Sequence, residues 1–317
     1  MQKDNKKIVV LGAGFAGLRC AKNLQRYYPG QVELIDKNNY HMYWPLLYKL
    51  DVSQSKFPIK TKAGFIQRQI NDYHDLDYDY LVIATGSDFH YCGIEGLQEN
   101  ALILRGLEDA EKILQLPKEG LVIVGAGVSG VELAAELAHK YHYYDITLVE
   151  ASSDILPSVN DERFCNKARK RLEKIGIKIL INHSLIKVEK NKLYFKNGEE
   201  LGYQGLIWAG GVKLGAYQVD GNLKVQRESD VFAIGDCASI EPGMVDSALR
   251  QAKIVAINIK NSIEGKNLIN YQKKFLGMVI PLGGCYAVGK IGNIVITGWL
   301  AWLAKELIHF YYKKTYV

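Results

Sequence analysis

Apolar and polar positions along this chain fall into two periods that alternate. Ile8 to Leu11 is a short, unbroken apolar run of the kind a fully buried strand needs. It leads straight into Gly12-Ala13-Gly14-Phe15-Ala16-Gly17, after which Leu18, Ala21 and Leu24 recur at helical spacing. A second strand-like run, Val32 to Ile35, closes on Asp36. The same order returns from Leu121. An apolar run to Val124 meets Gly125-Ala126-Gly127-Val128-Ser129-Gly130, a helical pattern carries Val131, Ala134, Ala135 and Ala138, and Ile146 to Val149 closes on Glu150. Asp36 lies 19 residues after Gly17, and Glu150 lies 20 after Gly130.

The repeat has a physical reading. In a strand–turn–helix unit the first glycine makes the tight turn, the second lets backbone approach a pyrophosphate, and the third lets the helix pack close to the strand. The helix N-terminus offers free N–H groups and partial positive charge to the phosphates. The acid ending the next strand accepts the ribose hydroxyls, and Glu150 in that place repels a 2′-phosphate, which favours NAD over NADP. The pattern predicts an α/β fold with two Rossmann-like dinucleotide-binding domains.

Smaller features repeat as well. Tyr80 to Ile83 breaks into Ala84-Thr85-Gly86, and Leu206 to Trp208 breaks into Ala209-Gly210-Gly211. At each small-residue turn a nucleotide or a crossing segment can come close to the backbone. Asp230 to Ile234 reads as a strand followed by Gly235-Asp236. Asp236 there can hydrogen-bond a cofactor polyol or cap a helix. Further on, Val245, Ala248, Leu249, Ala252, Val255, Ala256 and Ile259 mark an amphipathic helix. On it Asp246 and Arg250 stand four apart, the spacing of an exposed ion pair.

Composition narrows the class. The chain has 317 residues, enough for about two domains. Lys plus Arg exceed Asp plus Glu by 40 − 34 = 6, too mild an excess for a nucleic-acid binder but suited to an anionic cofactor or membrane surface. Five widely spaced cysteines with no CxxC argue against a disulfide framework and a zinc knuckle, and for a reducing compartment. His41 and His309 have no second ligand at metal spacing, so no metal site is expected. The polar start does not read as a secretory signal. The longest apolar stretch, Ile294 to Ala304, is 11 residues and falls short of a membrane span.

Two fingerprints, an Ala-Thr-Gly turn and a late Gly-Asp together resemble the flavoprotein oxidoreductases that have two nucleotide-binding domains. Asn39-Tyr40-His41-Met42-Tyr43-Trp44-Pro45-Leu46-Leu47-Tyr48, Phe232 to Ala238 and the Trp299-Leu300-Ala301-Trp302-Leu303 tail narrow the likeness to type II NADH dehydrogenases, the single-subunit NADH:quinone oxidoreductases. The resemblance implies FAD in the first cradle, with Gly12, Gly14, Phe15, Ala16, Gly17, Asp36, Lys37, Thr85, Gly86, Gly235 and Asp236 beside it. It implies NAD(H) in the second, with Gly125, Gly127, Val128, Ser129, Gly130, Glu150 and Gly211. It makes Glu132 the candidate catalytic acid, with Glu136 a solvated or packing neighbour. Pro45, Asp246, Arg250 and Gln251 fall on the quinone side. Asp246 and Arg250 stand where the family carries glutamines, and the Tyr48–Tyr78 segment is shorter than the family's small β-meander requires.

The expected organisation is a FAD-binding domain over 1–111 and 215–265, a NAD(H)-binding domain over 112–214, and a C-terminal segment, 266–317, that closes the flavin region. On a helix from Trp299, residues Trp299, Leu300, Leu303, Leu307, Phe310 and Tyr311 share one face, and Lys305, His309 and Lys313 the other. That division suits a helix lying on a membrane surface, or one covering the protein body or a second copy in a homodimer. The function implied is electron transfer from NADH through flavin to a quinone at the cytoplasmic face of the membrane, by a peripheral enzyme. The alternatives are a soluble NADH-flavin reductase with another acceptor and a non-catalytic NADH-sensing flavoprotein.

Overall fold

The computed structural model describes residues 6–51 and 55–316. Its centre is two parallel sheets. In the first the strand order is Val231–Ala233, Tyr80–Ile83, Ile8–Leu11, Val32–Asp36 and Gly64–Gln67. In the second it is Lys178–Leu180, Ile146–Val149, Leu121–Val124 and Gly205–Trp208. The central strands Ile8–Leu11 and Leu121–Val124 are buried along their whole length, as parallel strands covered on both faces must be.

Each central strand feeds a helix of the same length, Phe15–Tyr27 in the first unit and Val128–Lys140 in the second. The first stops at Tyr28-Pro29-Gly30, because proline cannot continue a helix and Gly30 takes a left-handed turn. Helix Glu162–Lys174 begins at Asp161, whose carboxylate caps the Phe164 N–H at 3.2 Å. Antiparallel strands Leu185–Glu189, Lys192–Phe195 and Glu200–Gly202 complete the second unit. The chain enters and leaves that unit along two short antiparallel strands, Asp88–Phe89 and Val212–Lys213.

Among the described residues between Tyr48 and Tyr78 there is no three-stranded meander. Lys56–Pro58 pairs with Tyr40–Met42, and Gly64–Gln67 extends the parallel sheet. The C-terminal segment also departs from expectation. Its strands, Met278–Pro281, Ala287–Ile291 and Ile294–Gly298, and the turn after the first of them send Ile280, Val288 and Leu282 into the core of the second unit, not over the first. The stretch before these strands and the helix after them, Trp299–Tyr316, reach the first unit instead, where Tyr271 and Tyr312 are buried in its core. The segment therefore ties the two units together.

Candidate active site

The two fingerprints fold alike, glycine by glycine. Gly12 has φ +106°, and a Cβ there would overlap the Ala84 carbonyl; Gly125 has φ +107°, and a Cβ would overlap the Gly210 backbone. At Gly17 and Gly130 a Cβ would collide with the carbonyl of the first glycine of its own turn. The middle glycines differ from the rest. A Cβ on Gly14 or Gly127 would meet nothing within 4 Å, so these two border open space. Both sit at the helix N-cap in extended conformation, and no side chain caps either helix. The first N–H groups of each helix are thus left for an anion.

The strand-end acids grip these loops. Asp36 accepts the Ala13 N–H at 2.6 Å and the Asn38 N–H at 2.8 Å, one on each oxygen. Glu150, which is buried, accepts the Ala126 N–H at 2.8 Å and the Ser152 N–H at 2.9 Å in the same way. Each carboxylate oxygen keeps a second lone pair, which a ribose hydroxyl can use. Lys37 is exposed beside the first acid, and Ser129 is exposed in the first turn of the second helix. Both cradles fit a dinucleotide: open middle glycines, uncapped helix ends and an acid with spare acceptor capacity.

The two small-residue turns do different work. Thr85 is exposed and Gly86, at φ +80°, borders open space, so this turn is accessible. At Gly211 a Cβ would overlap the His90 carbonyl and the Trp208 ring. That glycine makes room for the crossing strand, with its own carbonyl accepting the His90 N–H at 2.6 Å. Gly235 adopts φ +74° and comes close to Ala16 of the first fingerprint helix. Its N–H is held by Gln251 Oε1 at 2.7 Å, and the Gln251 amide donates to the Ile240 carbonyl at 2.7 Å. Asp236 accepts the Gly243 N–H at 2.9 Å, and burial raises its carboxyl pKa. The neighbouring Cys237 thiol is buried, donates to the Ile83 and Ile234 carbonyls, and is pushed up by that burial.

Glu132 is buried in the second fingerprint helix, and burial pushes its carboxyl above the usual carboxylate range. The opposing influence comes from Lys305 of the C-terminal helix, whose ammonium lies 3.6 Å from the carboxylate and donates to the Val279 carbonyl at 3.2 Å. Glu136, one turn on, is mostly covered rather than solvated. Its pKa also rises through burial, with Lys140 at 4.0 Å opposing. Spacing alone sets Lys305, His309 and Lys313 in one row opposite the apolar face; it does not pair Lys305 with Glu132. The row faces the protein. His309 is buried against Tyr43, with Oη to Nδ1 at 2.7 Å, and desolvation together with Lys305, Lys49 and Lys313 takes its pKa down to about 3. The apolar row Trp299, Leu300, Leu303, Leu307, Phe310 and Tyr311 is the exposed one.

Asp246 and Arg250 form more than an exposed pair. The guanidinium donates to Asp246 at 2.8 Å, to Glu241 at 3.3 Å and to the carbonyls of Gln272 and Lys274, and it lies over the Tyr271 ring. These contacts hold the Val245–Ile263 helix to the strand-free stretch that follows it. Pro45 opens the short 3-10 helix Trp44–Lys49, whose Lys49 pairs with Glu306 at 3.2 Å.

The pattern that defines the pyridine nucleotide-disulphide oxidoreductases matches residues 6–70 and 52–252, which include both cradles and the Gly235-Asp236 turn. The chain belongs to the pyridine nucleotide-disulphide oxidoreductase family. In this pyridine nucleotide-disulphide oxidoreductase all five cysteines are free: Cys20, Cys165 and Cys237 are buried, and Cys92 and Cys285 are exposed. Among the described residues no group of three or more His, Cys, Asp or Glu could hold a metal. The type II NADH:quinone oxidoreductase Ndh of Mycobacterium tuberculosis is 25% identical over 96% of this chain and 84% of its own length. The type II NADH:quinone oxidoreductase of Staphylococcus aureus is 27% identical over 97% and 95%. Among solved structures, NDH2 from Plasmodium falciparum in complex with NADH superposes with a TM-score of 0.82 at 19% identity, over 98% of this chain and 99% of that one. The sulfide:quinone oxidoreductase of Aquifex aeolicus superposes at 0.81 and 19% identity, over 98% and 91%. These two structures share the fold.

Proposed function

We propose that this chain passes electrons from NADH through FAD to a quinone. The observation that carries the reading is the pair of cradles, alike down to the open middle glycine and the acid that holds the loop, in one chain. Relatives named type II NADH:quinone oxidoreductase, matched over nearly the whole chain, support the same reading. FAD, when bound, supplies the redox ring that takes a hydride equivalent from NADH and gives electrons to the quinone.

The roles follow from position. Residues 1–111 and 215–265 form the FAD unit, and 112–214 the NADH unit. Gly12, Gly14, Phe15, Ala16 and Gly17 cradle the FAD pyrophosphate, with Asp36 and Lys37 on its ribose side and Thr85, Gly86, Gly235 and Asp236 along the rest. Gly125, Gly127, Val128, Ser129 and Gly130 do the same for NADH, with Glu150 on the ribose. Gln251 holds the Gly235 turn and Arg250 holds its helix, so both support the site from behind. Glu132 stores or releases a proton beside the reaction, because burial favours its neutral form and Lys305 its charged form. The outward apolar row on the C-terminal helix supports attachment to the cytoplasmic face of a membrane, where a lipid-soluble quinone can enter; no helix among the described residues is long and apolar enough to cross one.

The test is spectroscopic. The purified protein should be yellow, bleach on anaerobic addition of NADH, and regain colour when a short-chain quinone is added. A colourless protein that takes up no flavin sinks the reading. One that bleaches and ignores quinone retains the NADH and FAD sites and loses the acceptor.

A further inference from the structure

One carbonyl occupies the same place in each fingerprint, Ala13 in the first and Ala126 in the second. Each belongs to a residue whose N–H is held by the strand-end acid. What holds the carbonyl differs. Ala126 O accepts the backbone N–H of Leu156 at 2.8 Å, a partner from within the second unit. Ala13 O is met by a side chain, His41 Nδ1, at 3.1 Å. A carbonyl has only lone pairs to offer, so the His41 proton sits on Nδ1. Desolvation lowers the His41 pKa and keeps the ring neutral. Nε2 is then an acceptor, and it receives the hydroxyl of Tyr312 at 3.1 Å. Tyr312 comes from the C-terminal helix, and its ring packs 5.1 Å from Phe15 of the fingerprint itself.

The consequence passes through one peptide. The bond between Ala13 and Gly14 is trans, so its C=O and N–H point in opposite directions. Fixing the Ala13 carbonyl on His41 therefore fixes the direction of the Gly14 N–H, on the residue whose own surroundings are open. We propose that His41 and Tyr312 are positioning residues of the first cradle: they set the Ala13–Gly14 peptide for the pyrophosphate of FAD, so that cofactor retention depends on the C-terminal helix. The second cradle, set by Leu156, does not share that dependence. The inference rests on the assignment of FAD to the first cradle.

Tyr312→Phe removes the hydroxyl and leaves the ring on Phe15. Release of FAD from the holoenzyme after dilution, followed by flavin fluorescence, should become roughly three- to tenfold faster, the usual reach of one neutral hydrogen bond. His41→Phe also leaves the Ala13 carbonyl without its partner and should exceed about tenfold. His41→Asn, which can place an amide N–H near the position of Nδ1, should recover part of that loss. NAD⁺ affinity of the same holoenzymes, measured by calorimetry, should stay within about twofold in all three. A general packing defect would move both readouts together, and that result overturns the proposal. So does unchanged FAD release in Tyr312→Phe and His41→Phe. If His41→Phe does not fold, Tyr312→Phe decides alone. A wild-type chain that takes up no FAD overturns the assignment of the cradle and this inference with it, whereas wild-type uptake with unaltered variants overturns this inference only.

Discussion

Lys305, on the last helix, places its ammonium 3.6 Å from the carboxylate of Glu132, on the second fingerprint helix. Both side chains are largely withdrawn from water, and burial raises the Glu132 pKa while Lys305 opposes the rise. The burial that favours the neutral form of this acid is therefore opposed by a cation from an element outside both dinucleotide units.

Removing the cation tests this. In Lys305→Met the Glu132 carboxyl rises further. The expected destabilisation at pH 7 is about 3 kcal/mol, the low end for breaking a buried pair, because Glu132 can take up a proton in place of its partner. A carboxyl whose folded pKa lies above its unfolded value binds more protons folded than unfolded between the two. Stability then falls as pH rises through that window. The cost of Lys305→Met should accordingly be smaller at pH 5 than at pH 7. Urea melts at both pH values measure it, and a pH-independent cost would leave the pair without an electrostatic role.

The strand-end acids should separate the two cofactors. Asp36 and Glu150 each hold two backbone N–H groups of their own cradle and keep further lone pairs for the ribose proposed there. Glu150→Ala should weaken NADH binding by about tenfold or more and leave FAD in place, and Asp36→Ala should do the reverse. Titration of NADH and flavin content per chain check both. Equal effects on the two ligands would contradict the assignment of the sites.

Arg250 offers a different contrast. Its guanidinium reaches two carboxylates and two carbonyls and stacks on Tyr271, yet it is partly open to water. Arg250→Met should cost about 1–2 kcal/mol of stability, discounted for that exposure. The KM for quinone should not change, because the guanidinium is already engaged by its own helix and the stretches beside it. A large rise in KM at unchanged stability would return Arg250 to the quinone side.

These residues show how far the chain could be read before folding. Ile8 to Asp36 and Leu121 to Glu150 are each one strand–turn–helix–strand unit, so both acids lie where local spacing puts them. Lys305, Tyr312 and the partners of Arg250 are joined to their targets only by tertiary closure, and no period or motif encodes that distance. The cation row on the last helix was visible at spacing four, but what it meets depends on which core the preceding strands join. Gly211 looked like part of a cradle because a glycine that admits a ligand and one that admits a crossing strand leave the same mark in a sequence.

The outward row of the last helix gives the final test. Leu307 and Phe310 are 58% and 66% exposed, while Ala301, His309 and Tyr312 on the opposite side are buried. Replacing both exposed residues by serine should leave the melting temperature nearly unchanged, because neither packs on the body. If this face enters a bilayer interface, each side chain contributes about 1.5 kcal/mol or more on burial, and the double variant should bind anionic phosphatidylglycerol vesicles about a hundredfold more weakly. Reduction of a water-soluble quinone analogue should persist, since Glu132 and both cradles are untouched. Vesicle sedimentation and sedimentation equilibrium together read the outcome: unaltered vesicle binding, with a dimer lost in the variant, would assign the face to a second copy of the chain instead of a membrane.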